Sequence, residues 1–190
     1  MTNIAILASG SGSNAQRISE YFAWHPDVKI KLILSNKPDA YVLTRALSLG
    51  IPTLVFDRKT FYETDVIPEF LKENDISFIV LAGFLWLLPH NILEAYPGRI
   101  VNIHPALLPK YGGKGMYGQK VHEAVLRARE VESGISIHYV TANYDEGDII
   151  FQARCPVKHG DTPESLAGRI HELEYEHYPR VIEGIVTRDT

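Results

Sequence analysis

The sequence contains a single cysteine, no long hydrophobic run, and no tract of like charges or of low complexity. One cysteine, Cys155, excludes a disulfide within the chain and fits a reducing, cytoplasmic setting. No stretch approaches the roughly 18 apolar residues that a transmembrane helix requires, and the N-terminus shows no secretory signal pattern. We therefore expect a cytoplasmic protein without a membrane partner, in which Cys155 is a strand residue rather than a nucleophile.

Positive charge is also scarce. Lys and Arg total 19 against 23 Asp and Glu, which gives a formal net charge of -4. Nonspecific binding to nucleic acid depends on excess basic charge, so we expect no nucleic-acid partner. A chain of 190 residues can bury a sizeable core, and we predict one domain over residues 1–190.

Short apolar runs alternate with helical patterns along the chain. This order is typical of βαβ units and predicts an α/β, Rossmann-like fold, with a mostly parallel central sheet and helices on both faces. The predicted strands are Asn3–Ala8, Val28–Leu34, Pro52–Phe56, Ser77–Ala82, Ile100–Ile103, Ile135–Thr141 and Ile149–Val157. The predicted helices are Ala15–Ala23, Tyr41–Leu49, Phe61–Asn74, Val121–Glu130 and a last one capped by Thr162 and bent at Pro179.

An amide and an imidazole follow one another on the fifth predicted strand. Asn102 and His104 are two residues apart, so in an extended chain they point to the same side, opposite Val101 and Ile103. Pro105 ends the strand directly after them. Ligands of open α/β sheets bind at the carboxyl ends of strands, which suits a catalytic pair. Taken alone, the pattern also fits a hydrogen-bonded histidine with a packing role.

A glycine turn follows the first predicted strand. Gly10-x-Gly12-x-x-Ala15 formally matches the dinucleotide fingerprint, but that interpretation requires an acid at the end of the second strand. The sequence has Ser35-Asn36 there instead. Hydroxyl groups and free backbone N–H groups at a helix N-terminus suit a phosphate monoester better than a pyrophosphate. A tight turn without a ligand is the alternative.

Six segments carry a resemblance to a known family. They are Ser9–Asn14, Val80–Phe84, Asn102–Pro109, Tyr144–Gly147, Ala153–Val157 and Glu174–Pro179, in the family's order over nearly the whole chain. By these segments the sequence resembles the glycinamide ribonucleotide (GAR) transformylases, which are folate-dependent formyltransferases. The resemblance implies transfer of a formyl group from 10-formyltetrahydrofolate to the amine of GAR in purine synthesis.

The resemblance also implies binding residues. It predicts a phosphate-binding N-terminal half and a C-terminal half that holds the folate and the catalytic groups. The GAR contacts would be Gly12, Ser13, Asn14, His171 and Glu174. The folate contacts would be Asn102, the apolar segment Leu85, Trp86, Leu87 and Leu88, and Arg58 or, with a slip of one position, Lys59. Many relatives have a basic residue where Trp86 stands, so the resemblance does not define the contacts at that wall of the pocket.

The catalytic set implied by the resemblance is Asn102, His104 and Asp145. Asn102 would donate an N–H to the formyl oxygen, His104 would move protons, and Asp145 would orient the imidazole. Asp148 is a rival from the same acidic loop, whose Asp and Gly would also suit any turn. A carboxylate raises a histidine pKa and burial lowers it, so this interpretation requires the carboxylate to dominate. We expect direct attack by the amine, with no metal and no covalent intermediate.

Other interpretations remain open from the sequence. The chemistry could serve a sugar amine or water as acceptor, although the phosphate turn counts against both. A nucleotide- or folate-binding protein without turnover would not need the proton-transfer pair. The glycine-rich loop Gly112–Gly118 is expected to border the GAR site, or else to be a solvent loop. The sequence leaves the choice between monomer and homodimer open.

Overall fold

Seven strands form one sheet in the computed structural model, which describes residues 1–188. In chain order the strands are β1 (Thr2–Leu7), β2 (Val28–Ser35), β3 (Thr53–Val55), β4 (Phe78–Leu81), β5 (Ile100–His104), β6 (Glu132–Tyr139) and β7 (Ile149–Pro156). Their spatial order is β3-β2-β1-β4-β5-β6-β7. The first five are parallel, and β6 and β7 join as antiparallel neighbours. The mostly parallel sheet is confirmed.

Helices cover both faces of this sheet. They are α1 (Ser13–Tyr21), α2 (Tyr41–Ser48), α3 (Arg58–Glu63), α4 (Val66–Glu73), α5 (His90–Ala95), α6 (Gln119–Arg127) and α7 (Pro163–Val186). One core unites strand residues such as Ile6 with buried residues of α1, α2, α6 and α7. The other unites Leu7 with buried residues of α3, α4 and α5. Alternate residues of a strand thus serve opposite cores, and the three-layer α/β prediction is confirmed.

The segment predicted as one helix, Phe61–Asn74, contains the break between α3 and α4, and α3 begins earlier. Asp57 caps α3 by accepting from Thr60 N at 2.7 Å. Thr64 has an extended backbone (φ -138°, ψ 164°) between the two helices. Its hydroxyl donates to Thr60 O at 2.7 Å, a local hydrogen bond of the kind that competes with regular helix. The sequence prediction also missed α5, whose six residues are too few to give a clear period.

The last helix begins as predicted and continues through Pro179. Thr162 and Ser165 form a reciprocal capping box at its start. The buried Tyr178 hydroxyl donates to Leu81 O at 2.9 Å and contacts Val101 O at 3.3 Å, which ties α7 to β4 and β5 beside Asn102. A bend at Pro179 stays a prediction. Within residues 1–188, none of the helices has the length and apolar character needed to span a bilayer.

Candidate active site

A cavity of about 630 Å³ opens at the carboxyl ends of β1, β4 and β5. In the sheet, β2 is the neighbour of β1 on one side and β4 is its neighbour on the other side. The strand order therefore reverses at β1, and the cavity lies at this topological switch point. Open α/β sheets bind ligands at this point, and the volume lies within the range of about 300–1,000 Å³ for small-molecule sites.

The glycine turn lies between β1 and α1 and lines the cavity, as predicted. Gly12 has φ 74°, and a Cβ there would lie 2.4 Å from Val42 Cγ2. Both the backbone conformation and the lack of space therefore disfavour any residue other than glycine. Arg45 Nε donates to Ser11 O at 2.8 Å and holds the turn from outside. At the place of the dinucleotide acid, Asn36 Oδ1 accepts from the hydroxyl of Ser9 at 2.7 Å.

Three predicted GAR contacts from the two ends of the chain meet in one cluster. Asn14 Nδ2 donates to Glu174 Oε2 at 2.9 Å, and His171 Nδ1 lies 2.9 Å from the same oxygen. The hydrogen bond to Glu174 raises the pKa of His171 above its ordinary value, against the effect of burial. Asn14 Oδ1 is buried and, among the described residues, has no hydrogen-bond partner. The cluster therefore presents an unused acceptor beside the glycine turn.

The predicted catalytic residues also meet, although Asp145 is distant from the other two in sequence. Asn102 and His104 lie on β5 and line the cavity. His104 Nδ1 is 3.5 Å from Asp145 Oδ2, and that oxygen accepts from Gly113 N at 2.9 Å. The rival Asp148 is exposed and is not part of the cavity lining. The geometry favours Asp145.

Burial decides the charge of His104. Its side chain is 5 % exposed, and this burial lowers its pKa below the ordinary value, against the opposing charge of Asp145. The carboxylate therefore does not dominate, and our premise that catalysis by His104 requires it to do so is wrong, because a neutral imidazole can accept a proton. His104 Nε2 donates to the Tyr111 main-chain carbonyl at 2.7 Å, because a carbonyl can only accept. In the neutral ring, Nδ1 is then the nitrogen that can take a proton.

Asp145 is held as a carboxylate. Burial by itself would raise its pKa, but contacts with His138, His104 and the Gly113 N–H outweigh burial, and the pKa is lowered. The residue has a positive φ of 56°, which a short polar side chain tolerates better than most. A negative charge thus faces the nitrogen of His104 that would accept a proton.

The sequence analysis missed His138. It lies on β6 directly opposite Asn102, and its Nε2 is 3.1 Å from Asn102 Nδ2 and 3.6 Å from Asp145 Oδ1. The signal was the alternation of Ser136 and His138 on a strand next to β5, but strand pairing could not be read from the sequence. His138 completes a buried polar cluster with the three predicted residues.

The predicted folate segment forms the apolar wall of the cavity. Leu85, Trp86, Leu87 and Leu88 all line it, and Leu88 also belongs to the core. Neither Arg58 nor Lys59 is among the described residues that line the cavity. The Arg58 guanidinium instead lies over the Trp86 ring, 5.6 Å from its centre, at the edge of this wall. A folate role for Arg58 stays a prediction.

The glycine-rich loop borders the same cavity, as expected. Residues Gly113–Gly118 line it, and a Cβ at Gly112 would lie 2.6 Å from Leu108 Cδ2 and 3.2 Å from Asp145 Cβ. The loop can therefore lie close to Asp145 only with glycine at 112. Residues 1–188 contain no group of three or more His, Cys, Asp or Glu side chains placed to hold a metal ion.

Comparison with known proteins gives relatives over almost the whole chain. A chloroplastic phosphoribosylglycinamide formyltransferase of Arabidopsis thaliana is 40% identical over 188 residues, and the match covers 96% of this chain and 64% of the plant protein. The enzyme of that name from Haemophilus influenzae is 38% identical over 190 residues, covering 96% and 86%. This chain thus spans just under two thirds of the plant relative's length.

Solved structures agree with this match. The phosphoribosylglycinamide formyltransferase of Streptococcus pneumoniae superposes with a TM-score of 0.87 at 37% identity, covering 98% of this chain and 99% of that one. The Bacillus halodurans protein of the same name gives 0.88 at 35% identity, covering 100% and 97%. The sequence pattern of the formyl transferase family matches residues 2–182. The chain belongs to the formyl transferase family.

Proposed function

We propose that this protein transfers the formyl group of 10-formyltetrahydrofolate to the amine of 5-phosphoribosylglycinamide (GAR), giving formyl-GAR and tetrahydrofolate in de novo purine synthesis. The observation that carries the proposal is the convergence of Asn102, His104 and Asp145 in a cavity that also contains a phosphate-type glycine turn. The names of the relatives support both the reaction and the acceptor.

The GAR end of the site is the glycine turn with α7. Gly12, Ser13 and Asn14 offer backbone N–H groups and polar side chains at the N-terminus of α1, where a phosphate is favoured. His171, with its raised pKa, adds a positive charge. Glu174, buried between His171 and Asn14, would hold the glycinamide end.

The folate end is the segment after β4. Apolar walls with a few polar groups suit a pterin ring, and Leu85, Trp86, Leu87 and Leu88 supply such a wall beside Asn102. Arg58 would meet the acidic tail of the folate from its place on Trp86. Trp86 offers an aromatic surface over which the Arg58 cation is favoured.

The catalytic roles follow from the contacts. Asn102 has two amide hydrogens, and one of them can donate to the formyl oxygen as negative charge develops in a tetrahedral intermediate. His104, neutral at pH 7, takes a proton from the attacking amine at Nδ1, and it gives a proton to the departing folate nitrogen when the bond from that nitrogen to the formyl carbon breaks. Asp145, 3.5 Å away, stabilises the imidazolium that results. These groups supply carbonyl polarisation and proton transfer, so we propose direct transfer without a metal ion.

The wider context is also proposed. One sheet unites the glycine turn with the catalytic strand, which supports a single formyl transferase domain over residues 1–190. We propose that the enzyme works in the cytoplasm as a monomer or homodimer, with small-molecule substrates and no nucleic-acid partner.

The test is an absorbance assay of deformylation of 10-formyl-5,8-dideazafolate with and without GAR. We expect turnover only with GAR. Turnover without GAR would identify a deformylase, and absence of turnover from folded protein in both reactions would point to a binding protein or to another amine acceptor.

A matched variant tests the role of the amide. Asn102→Ala removes the donor to the developing oxyanion and should lower kcat by about 10²–10³-fold, the usual loss for one such donor. Thermal melting controls for folding. A loss below about tenfold would contradict the role of Asn102 as the principal oxyanion donor.

A further inference from the structure

The Asn102 amide has two nearly isosteric ends with opposite hydrogen-bonding character. Its nitrogen can donate to a developing oxyanion, whereas its oxygen would repel one. Rotation of the side chain by half a turn exchanges the two at little steric cost. A catalytic role for this residue therefore requires a neighbour that selects one orientation.

His138 is the neighbour in contact with the amide. The two residues are directly opposed in the antiparallel pairing of β5 with β6, so their side chains project from the same face. His138 Nε2 lies 3.1 Å from Asn102 Nδ2. The histidine is 2 % exposed, so bulk water does not compete for this contact.

The backbone fixes the tautomer of His138. Its Nδ1 lies 2.8 Å from the main-chain carbonyl of Tyr139, which can only accept, so Nδ1 carries the proton. The neutral ring then has an unprotonated Nε2 that can only accept. Asn102 must turn its amide nitrogen toward His138 Nε2, because the amide oxygen in that place would face another acceptor with no hydrogen between them.

We propose that His138 is a positioning residue. It fixes the Asn102 amide with its nitrogen toward His138 Nε2, so that the second N–H of Asn102 can donate to the formyl oxygen. The order of contacts is Tyr139 carbonyl, His138 Nδ1–H, His138 Nε2, Asn102 Nδ2. The chain of contacts rests on the catalytic role proposed above for Asn102, and it adds what orients that residue.

The charged neighbour of His138 suggests a conservative replacement. Asp145 Oδ1 lies 3.6 Å from Nε2. A glutamine at 138 would place its amide near the position of Nε2, with its N–H toward Asp145 and its carbonyl toward Asn102. His138→Gln thus keeps the acceptor, and His138→Leu removes it at similar size.

The test compares these variants in two backgrounds. In the wild type, His138→Leu should lower kcat about 100-fold with both KM values within about threefold, and His138→Gln should stay within about tenfold of wild type. In the Asn102→Ala background, His138→Leu should cause no further loss, because its effect passes through Asn102. Thermal melting controls for folding of each variant.

A second measurement does not depend on activity or on the variants folding. Long-range ¹H–¹⁵N correlation spectra of histidine-labelled wild-type enzyme should show His138 with the proton on Nδ1. A proton on Nε2 would overturn the proposal, as would wild-type kcat in His138→Leu or an equal loss in both backgrounds. Wild-type kcat in Asn102→Ala would overturn the role of Asn102 as well, so the two failures are distinguishable.

Discussion

Two histidine–carboxylate pairs line the same cavity and differ in charge. In the first, His104 Nδ1 lies 3.5 Å from Asp145 Oδ2, with side chains 5% and 12% exposed. In the second, His171 Nδ1 lies 2.9 Å from Glu174 Oε2, with side chains 49% and 6% exposed. Burial lowers the pKa of His104, whereas the hydrogen bond to Glu174 raises the pKa of His171.

The difference shows that a carboxylate neighbour does not by itself set the charge of a histidine. A long contact in a desolvated place leaves His104 neutral, so it can accept a proton. A short contact in a half-exposed place keeps His171 protonated to higher pH, so it can attract an anion. One pair thus suits proton transfer and the other suits phosphate binding.

The largest predicted effect separates the two histidines. His104→Ala removes the proposed proton acceptor and should lower kcat by about 10²–10⁴-fold, the usual contribution of a general base. His171→Ala removes the proposed charged contact with the phosphate and should raise KM for GAR about tenfold, with kcat within about threefold. Steady-state assays of both variants check this, with thermal melting as the folding control. Near-wild-type turnover in His104→Ala would show that the His104–Asp145 pair does not carry out the proton transfer.

The second prediction concerns the removal of the Asp145 carboxylate from the proposed catalytic pair. Asp145 raises the pKa of His104 against burial, so Asp145→Asn should lower that pKa further and reduce kcat about 10²-fold. In the wild type, the acid limb of kcat/KM should lie below pH 6.5, since His104 must be neutral. NMR titration of His104 measures the shift without requiring activity.

A neighbour on the same loop gives the control for this titration. Asp148→Asn changes an exposed carboxylate that does not line the cavity, so the His104 titration should stay as in wild type. An equal shift in both variants would mean that general charge, rather than the 3.5 Å contact, acts on His104.

The sequence was informative where a pattern is local. Alternation placed Asn102 and His104 on one side of a strand, and spacing on a helix placed His171 next to Glu174. The meeting of Asp145 with His104 depended on family resemblance, because no local rule brings two distant segments together. His138 was missed because its role arises from the pairing of β5 with β6.

The charge of His104 was mispredicted for a related reason. Whether burial or a carboxylate dominates depends on distances and on solvent access, and neither is encoded in residue type. The break between α3 and α4 was missed although the sequence signals it, because Pro68 lacks the N–H that a continuous helix would donate to the carbonyl of Thr64 and its ring crowds that carbonyl. The succession of strands and most helices along the chain could be predicted, whereas the electrostatic balance required the three-dimensional contacts.

A smaller effect is expected from the carboxylate of the second pair. Glu174→Gln removes the charge that raises the pKa of His171, so that pKa should fall, and KM for GAR should rise about tenfold from the lost buried acceptor. The exposed neighbour Glu172 provides the control variant, Glu172→Gln, which should leave both quantities unchanged. An unchanged His171 titration in Glu174→Gln would show that the 2.9 Å contact does not set its charge.

The smallest effect concerns pH alone. In the wild type, KM for GAR should rise as the pH increases through the His171 pKa, which lies above 6.5, because the positive charge is lost. The phosphate itself gains charge near pH 6 and acts in the opposite direction, so a charge-preserving variant is needed for comparison. His171→Lys stays protonated to about pH 10 and should show no such rise, with KM near the wild-type value at pH 6.5. Identical pH profiles for the two enzymes would mean that the charge of His171 does not contribute to the binding of GAR. The placement of a carboxylate would then matter only for the His104–Asp145 pair, where it affects the histidine pKa.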